Sequence, residues 1–298
     1  MNSGTAHLLE MLSERVLKLS NEGKYDEALR AADAAIEKAR QSNSGEFSDV
    51  MCLAASLEIR GDVLRQQGYL EDSRISYLEA LEMIEGQEQC TDMLARISAS
   101  IGVLYDQVEN DEEAIIFYER AIEMYERLDP PQMLEVADIC NNLGFIYRSI
   151  GNMETAETLL LKGLEICHNE LGSKNEKTAT LCNNVGALYL KSGYDEQARE
   201  MHMMALEGRL ASVGADHPDT AQSYSNLGLS LAQIGEVDTA KEYFQKSLAI
   251  YEKHLKEESH EYAAVAENYA ELLRAMSDEK GSANVIKKAQ KKLAKVAH

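Results

Sequence analysis

The sequence predicts an all-α solenoid, and three observations carry that reading. Asn142, Asn184, Asn226 and Asn268 stand 42 residues apart, each two places before a small residue, Gly144, Gly186, Gly228 or Ala270. Counting back from Gly144 by 42 reaches Gly102, and by a further 41 reaches Gly61, so the same frame runs through the first half of the chain. Within a period, apolar residues recur at spacings of three and four, as on a helix with one face turned to a core. A fixed period between roughly 20 and 50 residues marks stacked supersecondary units.

Seven units of 42 fill 294 of the 298 residues and leave no room for a separate catalytic domain. One array over 1–298 is therefore expected, with approximate units 8–41, 49–87, 91–128, 133–170, 175–212, 217–254 and 259–296 and a C-terminal capping helix. The first unit is the least regular, and Gly23 divides it into two helices. Gly68 breaks the second unit in the same way. The third has Glu109-Asn110-Asp111 at this place, where Asn110 is expected to take the positive φ. Gly151, Gly193 and Gly235 divide the next three, because glycine accepts the left-handed conformation that ends a helix. In the fifth unit, Leu181, Val185, Leu188 and Tyr189 face the core from the first helix, and Ala198, Met201, Ala205 and Leu206 from the second. Acidic residues such as Asp111-Glu112-Glu113, Asp195 and Glu196 suit the positive start of a second helix. Pro130, Pro131 and Pro218 all fall between units. The last helix, Ser282 to Val296, puts Ile286, Ala289, Leu293 and Val296 on one side and lysines on the other.

Three residues after the anchors stand Leu64, Tyr105, Tyr147, Tyr189 and Leu231, and twelve after them Ser73, Ala114, Ala156, Ala198 and Ala240. This alternation of small and bulky positions resembles the tetratricopeptide repeat. The segments Asn183-Asn184-Val-Gly-Ala-Leu-Tyr, Gly193-Tyr-Asp-Glu-Gln-Ala and Val213-Gly-Ala-Asp-His-Pro resemble the 42-residue kinesin light chain type in particular. The chain departs from that type at His202, which stands for an aromatic, at Gly163, which stands for alanine, and in the linkers of the first two units. The resemblance implies a right-handed superhelix of about seven helix pairs, with first helices lining the concave face.

Asparagine is a poor residue for a helix interior, costing about half a kcal/mol against alanine, so four in one register call for a compensating role. Each amide offers donors and acceptors together, which is what the backbone of an extended peptide demands. The resemblance implies that such a ladder holds a peptide; bridging of adjacent first helices is the alternative. The expected groove comprises Asn142, Asn184, Asn226 and Asn268, with Asn141, Asn183, Arg148, Lys191, Asp138 and Gln222 around them. Arg148 suits a carboxylate and Lys191 adds a point charge. The corresponding N-terminal surface has Arg65, Arg96 and Asp106 without asparagines.

A formal charge of −21 argues against nucleic-acid partners, whose binding needs clustered Lys and Arg. Neither a leader nor a span of about 18 apolar residues is apparent, so the sequence points to the cytoplasm and away from membranes. Cys52, Cys90, Cys140, Cys167 and Cys182 are scattered and read as buried thiols rather than disulfides or ligands. No phosphate-binding glycine loop, His-Glu-x-x-His or nucleophile elbow occurs, and the seven histidines lack ligand spacing. No enzyme activity, cofactor or metal is expected. The sequence reads as a module that binds an extended or acidic peptide or partner segment, as monomer or weak homo-oligomer. A self-associating scaffold using the convex face, or a peptide-responsive regulator, is the alternative.

Overall fold

The structure, a computed structural model, describes residues 3–42 and 44–296, which are helical apart from short connections. Two compact units, Met1–Ile139 and Cys140–His298, divide the chain within one helix. The first contains α1 (Ser3–Asn21), α2 (Tyr25–Ser42), α3 (Phe47–Gln66), α4 (Leu70–Ile84), α5 (Thr91–Gln107), α6 (Asp111–Arg127) and the start of α7 (Met133–Ser149). The second contains the rest of α7, then α8 (Met153–Leu171), α9 (Glu176–Ser192), α10 (Asp195–Ser212), α11 (Pro218–Gln233), α12 (Val237–Tyr251), α13 (Ser259–Ala275) and α14 (Glu279–Leu293). No strand occurs among the described residues.

Within each unit, helices pack on their sequence neighbours in antiparallel pairs, α3 on α4 and α5 on α6 in the first, α9 on α10, α11 on α12 and α13 on α14 in the second. First helices also touch the first helix of the next pair, as with α3 and α5, α9 and α11, and α11 and α13. This arrangement is an α-solenoid, in which each element meets only near neighbours.

The breaks within pairs follow one hydrogen-bond scheme. At Gly193 (φ 79°), the Gly193 amide donates to the Leu190 carbonyl and the Tyr194 amide to Tyr189, satisfying the last carbonyls of α9. The expectation for the third unit is corrected: Glu109 takes the positive φ, at 57°, while Asn110 has φ −98° and its side chain accepts from the Glu113 amide to cap α6. Asn110 is worth more at the N-cap, where its oxygen satisfies an orphan N–H. Ser277 (φ 64°) fills the same register before α14, and Asp278 caps that helix from the next position. Pro218 lies at the start of α11, where its missing N–H costs nothing.

Pair packing rests on a small residue in the first helix facing a large one 16 positions later. A Cβ added to Gly61 would stand 2.5 Å from the Tyr77 ring, to Gly102 2.7 Å from Tyr118, to Gly144 2.6 Å from Leu160, and to Gly186 2.4 Å from His202. All four large side chains are buried, and Gly228 opposes buried Phe244 at a looser 3.4 Å. Ala114, Ala156, Ala198 and Ala240, the small positions of the second helices, are fully buried, and the Ser73 hydroxyl donates to the Gly61 carbonyl. In α14, Val285 and Leu293 pack on the core and Ala289 is buried. Ile286 is only half-buried, and Val296 lies beyond the end of the helix. The lysines are not all on the solvent side, since Lys288 and Lys292 turn back to Glu252.

Candidate functional site

In the second unit the asparagine register falls on α7, α9, α11 and α13. Asn184 donates its amide to the Asn141 carbonyl oxygen at 2.7 Å, joining α9 to α7. Asn183, 5% exposed, donates to the Ser223 hydroxyl at 3.0 Å, joining α9 to α11. These bonds link successive first helices, the contact through which one pair meets the next. Asn142 is half-buried on α7. Asn226 and Asn268, also half-buried, carry no such bridge among the described residues.

Around them, Gln222 and Lys191 are exposed. The Arg148 guanidinium stacks over the Phe145 ring at 4.7 Å, a contact that holds the charge at the surface while covering an exposed aromatic. Asp138 belongs to the first unit. Next to Asn268 a cleft of about 280 Å3 opens between α11 and α13 over Leu229, Ala232, Phe244 and Leu272, with Gln233 and Glu271 at its rim. An apolar floor beside free amides and carboxylates suits an amphipathic ligand.

Two buried polar residues lie beneath this surface, His202, noted in the sequence only as a departure from the repeat pattern, and Arg209, which the sequence reading missed. His202 is 1% exposed and shares a hydrogen bond of 2.7 Å between Nδ1 and the Ser230 hydroxyl. Burial lowers its pKa to about 4, against a smaller opposing influence of the Asn183 carbonyl, so the ring is neutral near pH 7. Arg209, 4% exposed, ties α10 to both flanking first helices: it lies 3.2 Å from Glu176 and 2.8 Å from Asp219, and donates to the Thr180 hydroxyl at 2.6 Å. Thr180 is thereby held by the neighbouring helix. A 16-residue offset from each anchor would have located His202; Arg209 leaves no comparable trace, since its partners come from two other helices.

The first unit has a different surface. Arg96 on α5 grips Glu58 on α3 with two bonds, at 3.0 and 3.1 Å, and also pairs with Asp92. Burial pushes the Glu58 carboxyl up while Arg96 opposes it. Asp62 accepts from the Tyr77 hydroxyl at 2.6 Å. Here charged pairs do what the asparagines do in the second unit.

The tetratricopeptide repeat family matches residues 52–127, 135–211, 195–253 and 219–290, which is most of the chain. The chain belongs to that family. Its tetratricopeptide repeats are of the 42-residue kinesin light chain type, and they make it a protein-interaction module. The repeats resemble BtubC (BKLC) from P. vanneervenii, with 26% identity and a TM-score of 0.66 over 76% of this chain and 90% of that one. A putative kinesin light chain from Podosopora anserina shares the fold at 18% identity and a TM-score of 0.59, covering 68% of this chain and 97% of that one. The apo form of RapI follows 97% of this chain and 77% of its own, with a TM-score of 0.74 and 16% identity. No curated protein sequence matches. Among the described residues no helix is long and apolar enough to cross a membrane.

Proposed function

We propose that the tetratricopeptide repeats bind an extended peptide or partner segment, without catalysis, along the α9, α11 and α13 faces of the second unit. The observation that carries this reading is the division of the asparagine register. Asn184 and Asn183 are taken up in bridging first helices, whereas Asn268 presents its amide beside an apolar cleft and Asn226, half-buried one repeat earlier, carries no such bridge among the described residues. An amide can donate to a peptide carbonyl and accept from its N–H whatever the side chains, and the cleft at Gln233 and Asn268 accepts one apolar side chain. Gln222 and Lys191 extend the polar surface, and Arg148 adds a cation for a ligand carboxylate.

The test is selection from a random peptide library, followed by fluorescence anisotropy of a selected peptide against wild type, Asn226→Ala and Asn268→Ala. Loss of a hydrogen bond in a desolvated groove weakens binding by about 1 to 3 kcal/mol, roughly five- to 150-fold. The melting temperature stays nearly unchanged, because alanine is the better helix former. Unaltered affinity in both variants would move the binding surface elsewhere.

A further inference from the structure

We infer that the chain associates with itself, the lysine stripe of α14 in one copy docking on the acidic outer face of α6 in a second. This goes beyond peptide binding and uses neither the asparagines nor their cleft.

Charge is unevenly divided. Residues 1–139 hold 12 Lys and Arg against 29 Asp and Glu, a formal −17, while 140–298 hold 18 against 22, or −4. The outermost helix of the second unit reverses the sign, with Glu279 the sole acid beside Lys280, Lys287, Lys288, Lys291, Lys292 and Lys295 between 279 and 296. Lys288 and Lys292 are taken up by Glu252. Lys280, Lys287, Lys291 and Lys295 are exposed and form no ion pair among the described residues. At 100° per residue, positions 280, 287 and 291 share one face of the helix, and Lys295 follows just past its end.

The complement lies on α6. Glu112, Glu119 and Glu123 are exposed and share a face with Ile116, which is 56% exposed. Glu112 and Glu119 have no ion-pair partner among the described residues, and Glu123 meets only the exposed Arg127 at 2.6 Å. The spacing of these carboxylates, seven residues and then four, equals that from Lys280 to Lys287 to Lys291. Two helices laid side by side in parallel therefore bring each lysine to a glutamate, with Ile116 covered between the rungs. Each copy carries both halves of the contact, so a copy docked through one patch still has the other to offer. The contact also joins the least acidic region of one copy to the most acidic region of another, where net repulsion is least.

Sedimentation velocity at about 0.1 M salt tests this. There the Debye length is about 10 Å, which screens the repulsion between net charges while sparing pairs in contact. The weight-average mass is expected to rise with concentration above the 33.2 kDa of one chain, and to return to it at about 1 M salt, where the screening length is about 3 Å. Reversing Lys280, Lys287 and Lys291 to Glu abolishes association, as does reversing Glu112, Glu119 and Glu123 to Lys; mixing the two variants restores it. All six side chains are exposed, so circular dichroism melts of the variants match wild type. A single mass at every concentration and salt, failure of the mixed variants to pair, or binding of the stripe to phosphatidylserine vesicles without self-association would overturn the assignment.

Discussion

At the scale of single residues, the contact between each anchor and its partner 16 positions on sets what the anchor can be. Gly186→Ala would drive a Cβ to 2.4 Å from the buried His202 ring, which cannot swing away, and is expected to destabilise by about 1 to 3 kcal/mol. Gly228→Ala meets Phe244 at 3.4 Å and gains helix propensity, so its melt should be unchanged or improved by up to about 1 kcal/mol. Paired thermal denaturation of the two variants checks this, and the seventh unit, with Ala270 already at the anchor, shows that the register accepts a methyl group. His202 adds a pH dependence. Its folded pKa of about 4 lies below the ordinary 6.5, so above pH 6.5 both folded and unfolded forms are neutral and nothing is lost. As pH falls through 6.5 the unfolded chain takes up a proton that the folded chain refuses, and by pH 4 about 3 kcal/mol of stability is gone. His202→Phe removes that loss, so the stability of wild type relative to the variant should fall as pH drops from 7 to 4 in urea titrations.

At the scale of elements, α14 closes the second unit. Removing residues 279–298 would bare Tyr262, Ala266 and Tyr269 and release Glu252 from two lysines. The loss of contacts from Val285, Ala289 and Leu293 is worth about 2 to 4 kcal/mol and should appear as a lower melting temperature with aggregation by light scattering. Elements were also the most legible part of the sequence. The 42-residue frame, the glycine breaks and the acidic helix starts are local signals, and most repeats state them again. Glu109 was missed because the bias toward asparagine in the left-handed region competes with its stronger bias toward the N-cap, and here the cap won. The candidate face was half legible. That Asn142, Asn184, Asn226 and Asn268 share a register follows from period alone. Which amides are used up does not, because the bond from Asn184 to Asn141 depends on how closely two helices 43 residues apart approach.

At the scale of the whole molecule, 51 acidic residues against 30 basic ones make self-repulsion a standing cost of the folded state. Raising NaCl from about 0.01 to 0.15 M shortens the screening length from roughly 30 to 8 Å and should raise the melting temperature. A fall would mean that exposed pairs such as Arg40 with Glu79 outweigh the net charge, against the small worth of surface ion pairs. The thiols give each compact unit its own record of such changes. None of the five is in a disulfide: Cys52 and Cys90 lie in the first unit, and Cys140, Cys167 and Cys182 in the second. Only Cys52 reaches the surface in part, and burial pushes the Cys182 pKa up to about 11. A buried thiol at that pKa is inert to alkylation until its surroundings open. The order in which a trapping reagent labels these cysteines is therefore a chronicle of which helices part first, written by the native protein without any engineered probe.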